Sequence, residues 1–358
     1  MASFKEQDEG LVGVPQFDDF LTEPSDLQLG PVIGEGQFGS VHIGKYFGDI
    51  VAVKTQKRST VQIDAYILRE LSVLKFCRHE NLLEYIGACN MLADSDRESE
   101  QFHTLYIVTE YAQGGELHSL LKSGQPLGLK FLCRIALGCL DALSYLHANK
   151  IIHRDIKSEN ILLDGNWSPK LSDFGMARAV RDKVAHAMTI CGTDLYMSPE
   201  LLFDEEYTFS ADMFPFGLVL FEMMARKVAG QDNFCERKPS KNFTMDYDEV
   251  RTHLPVGELP VELVDMATLC TDYEPTDRPL ARDATSWMED IIAKMEEDTL
   301  DPPEPPEVPP LDDSKLTSLV KEEKEASLAP CINTQLTREF SERVILEKAK
   351  SIKFGSAR

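Results

Sequence analysis

A group of glycines, two lysines and several carboxylates in this 358-residue chain have the types and spacing to handle phosphate. Gly34, Gly36 and Gly39 in GEGQFGSV form a G-x-G-x-x-G pattern, and glycine lets main chain approach a ligand with no Cβ in the way. The pattern has two functional readings: a strand-to-helix turn that cradles a dinucleotide, or a hairpin lid over the phosphates of ATP. A plain glycine-rich turn is the third. Lys54 ends VAVK, Glu70 lies in ILREL, Asp155, Lys157 and Asn160 share HRDIKSEN, and Asp173 lies in LSDFG. Ammonium groups meet phosphate, carboxylate and amide oxygens suit a divalent cation, and a positioned carboxylate can take a proton from a hydroxyl.

The elements around these residues separate the readings. A dinucleotide turn needs a helix after its third glycine and an acidic residue about 20 positions on. Here VHIGKY alternates as a strand does, and the next strand carries Lys54. From Asp26 to about Lys57 the chain is strand-like and broken by glycines. VQIDAYILRELSVLKF then places Ile63, Ile67, Leu71 and Leu74 at helical spacing, which puts Glu70 on a helix. LLEYIGAC and TLYIVTEY read as two more strands. From Glu116 to about Met295 the pattern is helical: LGLKFLCRIALGCLDALSYLHA is long and apolar, LVLFEMMA is apolar all round as a core helix is, and VELVDMATLC follows. The expected fold class is α+β, with a small antiparallel-sheet lobe bearing one helix joined to a larger α-helical lobe.

The expected organisation is a flexible acidic segment over 1–25, a folded domain over 26–295, a linker over 296–314 and a tail over 315–358. The linker lies in DTLDPPEPPEVPPLDDS, whose prolines and acids predict an extended chain without a packed core. In the tail, Leu336, Phe340 and Val344 stand four apart. That spacing predicts a short amphipathic helix near 334–352, either a transient helix in a disordered tail or a docking helix for a partner.

Composition narrows the partners. A formal net charge of -23 opposes non-specific binding to nucleic acid or anionic lipid. The eight cysteines form no C-x-x-C pair and read as buried free thiols in a reducing compartment. No apolar run reaches the roughly 20 residues of a membrane span. MASFKEQDEG lacks the features of a signal peptide, and Ala2 stands where N-myristoylation needs glycine. A cytoplasmic location with nuclear entry open is the expectation.

GEGQFGSV, VAVK, ILREL, IIHRDIKSENILL, LSDFG and GTDLYMSPE occur in one order. In that order, and over about 27–292, the chain resembles the eukaryotic protein kinases. The resemblance implies the bilobal kinase fold, ATP as co-substrate and Mg²⁺ as cofactor, with Mn²⁺ as its substitute. It implies that Lys54, aligned by Glu70, meets the α- and β-phosphates. Asn160 and Asp173 would hold metal, Asp155 would receive the substrate proton, and Lys157 would steady the transferred phosphate. Ile33, Val41, Ala52 and Leu162 would line the adenine slot beside Thr109 at the gatekeeper position. The Glu110 carbonyl and the Ala112 N–H would meet the adenine edge. Leu74, His153 and Phe174 would stack in one apolar column, and Glu200 would pair with Arg278.

Lys157, together with Gly192 and Thr193, favours serine and threonine hydroxyls of protein substrates. Dual specificity is the alternative, and a nucleotide-binding pseudokinase or scaffold is another, opposed by the intact Lys54, Asp155, Asn160 and Asp173. Glu116 and Glu159 match positions that bind basic residues upstream of the acceptor in some serine/threonine kinases; solvated or structural acids are the alternative for both, and Glu116 has ATP ribose as a further partner. Arg154 would pair with a phosphate on the activation segment, with Thr189 as the phosphosite and Thr193 hydrogen-bonded near Asp155 and Lys157. Cys191 reads as an ordinary small side chain, with redox sensitivity as the alternative. The C-terminal part of the domain is similar to LIM-domain and testis-specific kinases of the tyrosine-kinase-like group. DIKSEN departs from those families, and so do Phe214 and Pro215 in ADMFPFG, where Trp and Ser are common. Asp212 and Gly217 keep that helix able to tether the catalytic loop.

Overall fold

The computed structural model describes residues 26–36, 39–57, 70–71, 73–92, 103–179, 195–238, 243–298 and 300–318. The small lobe is an antiparallel sheet of β1 (Leu27–Gly36), β2 (Gly39–Tyr46), β3 (Asp49–Lys57), β4 (Tyr85–Leu92) and β5 (His103–Glu110), extended by β11 (Thr317–Ser318). The strands lie in the order β11-β1-β2-β3-β5-β4. Strand alternation gives this sheet two faces. Val51, Val53 and Val108 face one way and close a small core with Leu27 and Cys89. Val41, Ala52, Lys54, Ile107 and Thr109 share the other face through the pairs Val41↔Lys54, Lys54↔Ile107 and Ala52↔Thr109.

Helical residues at 70, 71 and 73–76, here α1, contribute Leu71, Val73 and Leu74 to a second, larger core. That core runs from Leu105 and Ile107 of β5 into the helices of the large lobe. The two lobes therefore share one apolar interior through α1. The large lobe contains β6 (Gly115–Glu116), α2 (Leu117–Lys122), α3 (Leu129–Ala148), β7 (Ile151–Ile152), β8 (Ile161–Leu163), β9 (Pro169–Leu171) and β10 (Arg178–Ala179). It continues through α4 (Pro199–Leu202), α5 (Ser210–Ala225), α6 (Tyr247–His253), α7 (Val261–Cys270) and α8 (Ala281–Lys294). Helix α5 is buried from Ser210 to Met224, as an all-round apolar helix must be. Pro215 lies inside it and removes one donor from its ladder.

The departures at 214 and 215 leave the packing intact. Phe214 is 1% exposed and lies between two guanidinium groups, Arg237 at 4.7 Å and Arg278 at 5.1 Å from the ring centroid. An aromatic face attracts each cation where water is excluded. Six cysteines, 77, 89, 133, 139, 235 and 270, are buried and free. Burial pushes the Cys133 and Cys270 thiols up to about 12, which keeps both protonated and unreactive at neutral pH. Cys191 and Cys331 lie outside the described residues, as do segment 1–25 and the helix expected near 334–352.

The segment expected as a linker is not free. Residues 300–318 run along the domain and end as β11 on β1.

One buried acid gives the fold a pH response. The Tyr196 hydroxyl and the Ala229 N–H both donate to Glu222 Oε1. Burial nevertheless pushes this carboxyl up from 4.5 to about 7. The folded state therefore holds a proton that the unfolded state releases near pH 4.5, so stability falls as pH rises from 4.5 towards 7. At about 1.4 kcal/mol per unit, the loss approaches about 3 kcal/mol. Glu222→Gln keeps the Oε1 acceptor without a charge. Denaturant melts between pH 5 and 8 should show a decline in the parent and little slope from this site in the variant; equal slopes would refute the assignment.

Candidate active site

The glycine hairpin pairs Gly34 with Val41, Glu35 with Ser40 and Gly36 with Gly39. Strand β2 follows it directly, which removes the dinucleotide reading. The glycines have different reasons to be glycine. A Cβ on Gly39 would sit 1.7 Å from the Thr55 carbonyl oxygen, so this residue must be bare for β2 to lie on β3. Ser40 reinforces the contact: its N–H donates to Thr55 Oγ1 at 3.2 Å, and the two hydroxyls are 2.8 Å apart. At Gly34 an added Cβ would meet only the Val41 side chain, at 3.8 Å. The protein leaves that position open, and a ligand is the natural reason for a glycine there. Ile33 is 44% exposed beside it.

Lys54 projects from β3 and donates to Glu70 Oε1 on α1 at 2.7 Å. Burial acts to lower the Lys54 pKa, but the Glu70 and Asp173 carboxylates outweigh it and carry it above the ordinary lysine value. Lys54 is therefore a fixed cation at any physiological pH. Gln56, two positions along β3 and so on the same face, donates from Nε2 to Glu70 Oε2 at 3.3 Å. Sequence reasoning missed this second holder of Glu70; the i,i+2 spacing from Lys54 was its only signal.

Asp173 stands in the left-handed region at φ 60 and accepts from the Gly175 N–H. This tight turn presents the carboxylate toward Lys54 and buries Phe174 behind it. Phe174 stacks on His153 with ring centroids 5.0 Å apart. Leu74 and Phe174 belong to the same large core.

The loop between β7 and β8 carries the remaining polar groups. Asp212, at the start of α5, anchors it from below. Its Oδ2 accepts from the His153 N–H and lies 2.8 Å from His147 Nε2, while its Oδ1 accepts from the Arg154 N–H at 2.7 Å. Burial opposes ionisation of Asp212, but the His147 contact and the Arg154 amide hold its pKa below the usual aspartate value. A buried anion thus fixes two consecutive amides just before Asp155, and Arg154 takes φ 71. The Asp155 carboxylate is 30% exposed, open enough to meet a substrate. Lys157 Nζ lies 3.0 Å from its Oδ2, and Asn160 Nδ2 donates to both Oδ2 and the main-chain carbonyl at 2.7 Å.

Asn160 Nδ2 is turned to Asp155, and Asn160 Oδ1 accepts no hydrogen bond among the described residues. That amide oxygen and the Asp173 carboxylate are hard donors suited to a divalent cation. No cluster of three or more His, Cys, Asp or Glu side chains among the described residues forms a self-sufficient metal cage. The donor set fits a cation delivered with a nucleotide.

Of the residues expected around adenine, Val41 and Ala52 lie on the inner sheet face, and Leu162 stands on β8 between Glu116 and Lys170. Thr109 is 7% exposed, and its hydroxyl donates to the Glu110 carbonyl at 3.2 Å. The Glu110 side chain holds the inter-lobe connection: Oε1 accepts from the Glu84 N–H at 2.8 Å, and Oε2 lies 3.2 Å from Lys170 Nζ. The Ala112 N–H has no protein acceptor among the described residues, which leaves it for a ligand edge.

Of the acids read as substrate contacts, Glu116 is exposed on β6, and Glu159 lies 3.4 Å from His118 Nδ1. Glu222 feels the charge of Glu159 but is fully buried behind it. Glu222 comes from a helix that reads as wholly apolar core, so nothing local in the sequence marked it. Thr189 and Thr193, with Cys191 and Gly192, lie outside the described residues.

The model of the protein kinase domain matches residues 27–288. The chain belongs to the protein kinase family. Among its relatives is a probable serine/threonine-protein kinase of Dictyostelium discoideum, 35% identical over 298 residues that cover 80% of this chain and 67% of the relative. The probable serine/threonine-protein kinase kinY of the same organism is 38% identical over 282 residues, 75% of this chain and 48% of its own. A third relative there, the RasGEF domain-containing serine/threonine-protein kinase X, is 37% identical over 255 residues, 71% of this chain and 25% of its own. The kinase thus spans two thirds of one relative and half or less of the other two. Its domain is of the serine/threonine type, with the bilobal α+β fold. No helix among the described residues is long and apolar enough to cross a membrane.

Proposed function

We propose that this kinase transfers the γ-phosphate of ATP to serine and threonine hydroxyls of protein substrates. The observation that carries the reading is the Asp155 carboxylate, open to solvent and held beside Lys157 and Asn160, in a domain whose Lys54–Glu70 pair is formed. Lys54 binds and orients the α- and β-phosphates, with Glu70 and Gln56 fixing its reach. Asp155 accepts the hydroxyl hydrogen bond and receives the proton as the acceptor oxygen attacks. Lys157 offsets negative charge on the transferring group. The Ala112 N–H and the Glu110 carbonyl orient the adenine between Val41, Ala52 and Leu162, beneath Ile33. Gly34, Gly36 and Gly39 bring main-chain N–H groups over the phosphates and exclude water. Asn160 and Asp173 would hold a divalent cation, which would supply charge neutralisation to the transferring phosphate.

Substrates with basic residues upstream of the acceptor fit best, because Glu159 places a part-exposed carboxylate beside the catalytic loop. Arg154 is the receiver for phosphate on Thr189, and the C-terminal sequence points to the tyrosine-kinase-like group. A serine/threonine peptide library with labelled ATP tests this reading. Peptides with arginine or lysine upstream should lead, and Glu159→Gln should reduce that preference. Transfer to tyrosine peptides at equal rates would reject the serine/threonine assignment, and no transfer to any peptide by the activated kinase would reject the activity.

A further inference from the structure

The segment read as a linker is bound at successive points from the large lobe to the small one. Its first anchor is Asp298. The Lys130 and Phe131 N–H groups donate to the Asp298 carboxylate at 3.1 and 2.7 Å, so a residue from beyond α8 caps the N-terminus of α3. Helix α3 has no side-chain cap of its own: Gly128 holds that position, where a Cβ would fall 2.2 Å from the Asp298 carboxyl. Glu297 adds ion pairs to Lys130 at 2.7 Å and to Arg134 at 3.1 Å.

The strap then climbs past the connection between the lobes. Trp167 Nε1 donates to the Pro303 carbonyl at 2.8 Å. Gln113 Nε2, in the stretch joining β5 to β6, donates to the Pro306 carbonyl at 2.8 Å. On the small lobe, Leu311 and Leu316 cover Gly30, where a Cβ would stand 2.9 and 3.4 Å from their methyl groups. Strand β11 closes the path by pairing Thr317 with Leu29 and Ser318 with Gln28.

We propose that residues 297–318 are an inter-lobe strap that fixes the angle between the lobes and thereby sets the rate of nucleotide exchange. The physical argument lies in the prolines. Polyproline chain rises about 3.1 Å per residue, close to the roughly 3.3–3.6 Å of a fully extended chain. Such a strap has little slack, so a change in lobe angle must detach an anchor. Proline also lacks an N–H to satisfy, so carbonyl acceptors at Pro303 and Pro306 suffice to hold it. The exchange half of the proposal rests on the ATP reading above; the angle half does not.

The test uses the full-length chain with Leu311→Ser and Leu316→Ser, and separately Trp167→Phe, which keeps the ring and removes the bond to Pro303. Spin labels go on Phe47→Cys and Val256→Cys, at residues 70% and 95% exposed on opposite lobes, with Cys191 and Cys331 changed to serine. The unliganded parent should give a narrow inter-label distance distribution, and both strap variants a broader one. Release of a fluorescent ATP analogue should be about fivefold faster or more in the variants, a coupling of ordinary size. Unchanged distance distributions overturn the strap. Broadened distributions with unchanged release overturn its control of exchange. A parent that binds no nucleotide overturns the ATP reading, and the distances still judge the strap.

Discussion

Asp155→Asn is expected to lower phosphotransfer by about 10²–10⁴-fold, the range for a positioned general base, while ATP still binds. Asparagine fills the same space and keeps the main-chain carbonyl that accepts from Asn160 Nδ2 at 2.7 Å. Its loss is confined to the anionic oxygens, which face Lys157 and accept from Asn160 Nδ2. The groups proposed to bind nucleotide stand apart from it: Lys54 is held by Glu70, and the Ala112 N–H lies on the connection between lobes. Turnover should therefore fall through kcat, with KM for ATP close to the parent value. Parallel measurement of analogue binding and peptide phosphorylation distinguishes this from misfolding. Retention of activity within tenfold would remove Asp155 from the proton-accepting role. Loss of nucleotide binding together with turnover would instead indicate that the loop had collapsed.

The second large effect concerns stability. Glu200→Gln is expected to cost about 3–5 kcal/mol, because it leaves Arg278 as a buried charge without its anion. The two side chains are 2% and 0% exposed and meet in a bidentate pair, at 2.7 Å from Nη1 and 2.9 Å from Nη2. Arg278 also donates to the carbonyls of Ser210, Asp272 and Tyr273 and lies over Phe214. One guanidinium thus joins the start of α4, the start of α5 and the turn after α7. For a domain of this size, Tm should drop on the order of 10 °C. Thermal melts of the single variants Glu200→Gln and Arg278→Leu and of the double variant check the argument. The double variant should recover part of the loss, since removing both charges leaves neither uncompensated. A single-variant loss below 1 °C would show that other bonds carry Arg278.

The sequence by itself determined the catalytic inventory and the fold class. GEGQFGSV, Lys54, Glu70, HRDIKSEN and LSDFG carried that information because phosphate chemistry needs those residue types, each on a particular kind of element, in one order. The periodicities of β2 and α5 were equally legible, since alternation and all-round apolarity are local properties of the chain. The tertiary structure decided what depends on neighbours far apart in sequence. Gly39 is bare because β3 lies against it, Gln56 steadies Glu70, and Glu222 emerges from an apolar helix to meet Tyr196. The linker shows the difference most plainly. Its prolines dictate extension, but extended chain makes no hydrogen bonds of its own. Where such a segment lies is set by distant donors and surfaces, here Lys130 and Phe131, Trp167, Gln113 and Gly30, which no local pattern in DPPEPPEVPP records.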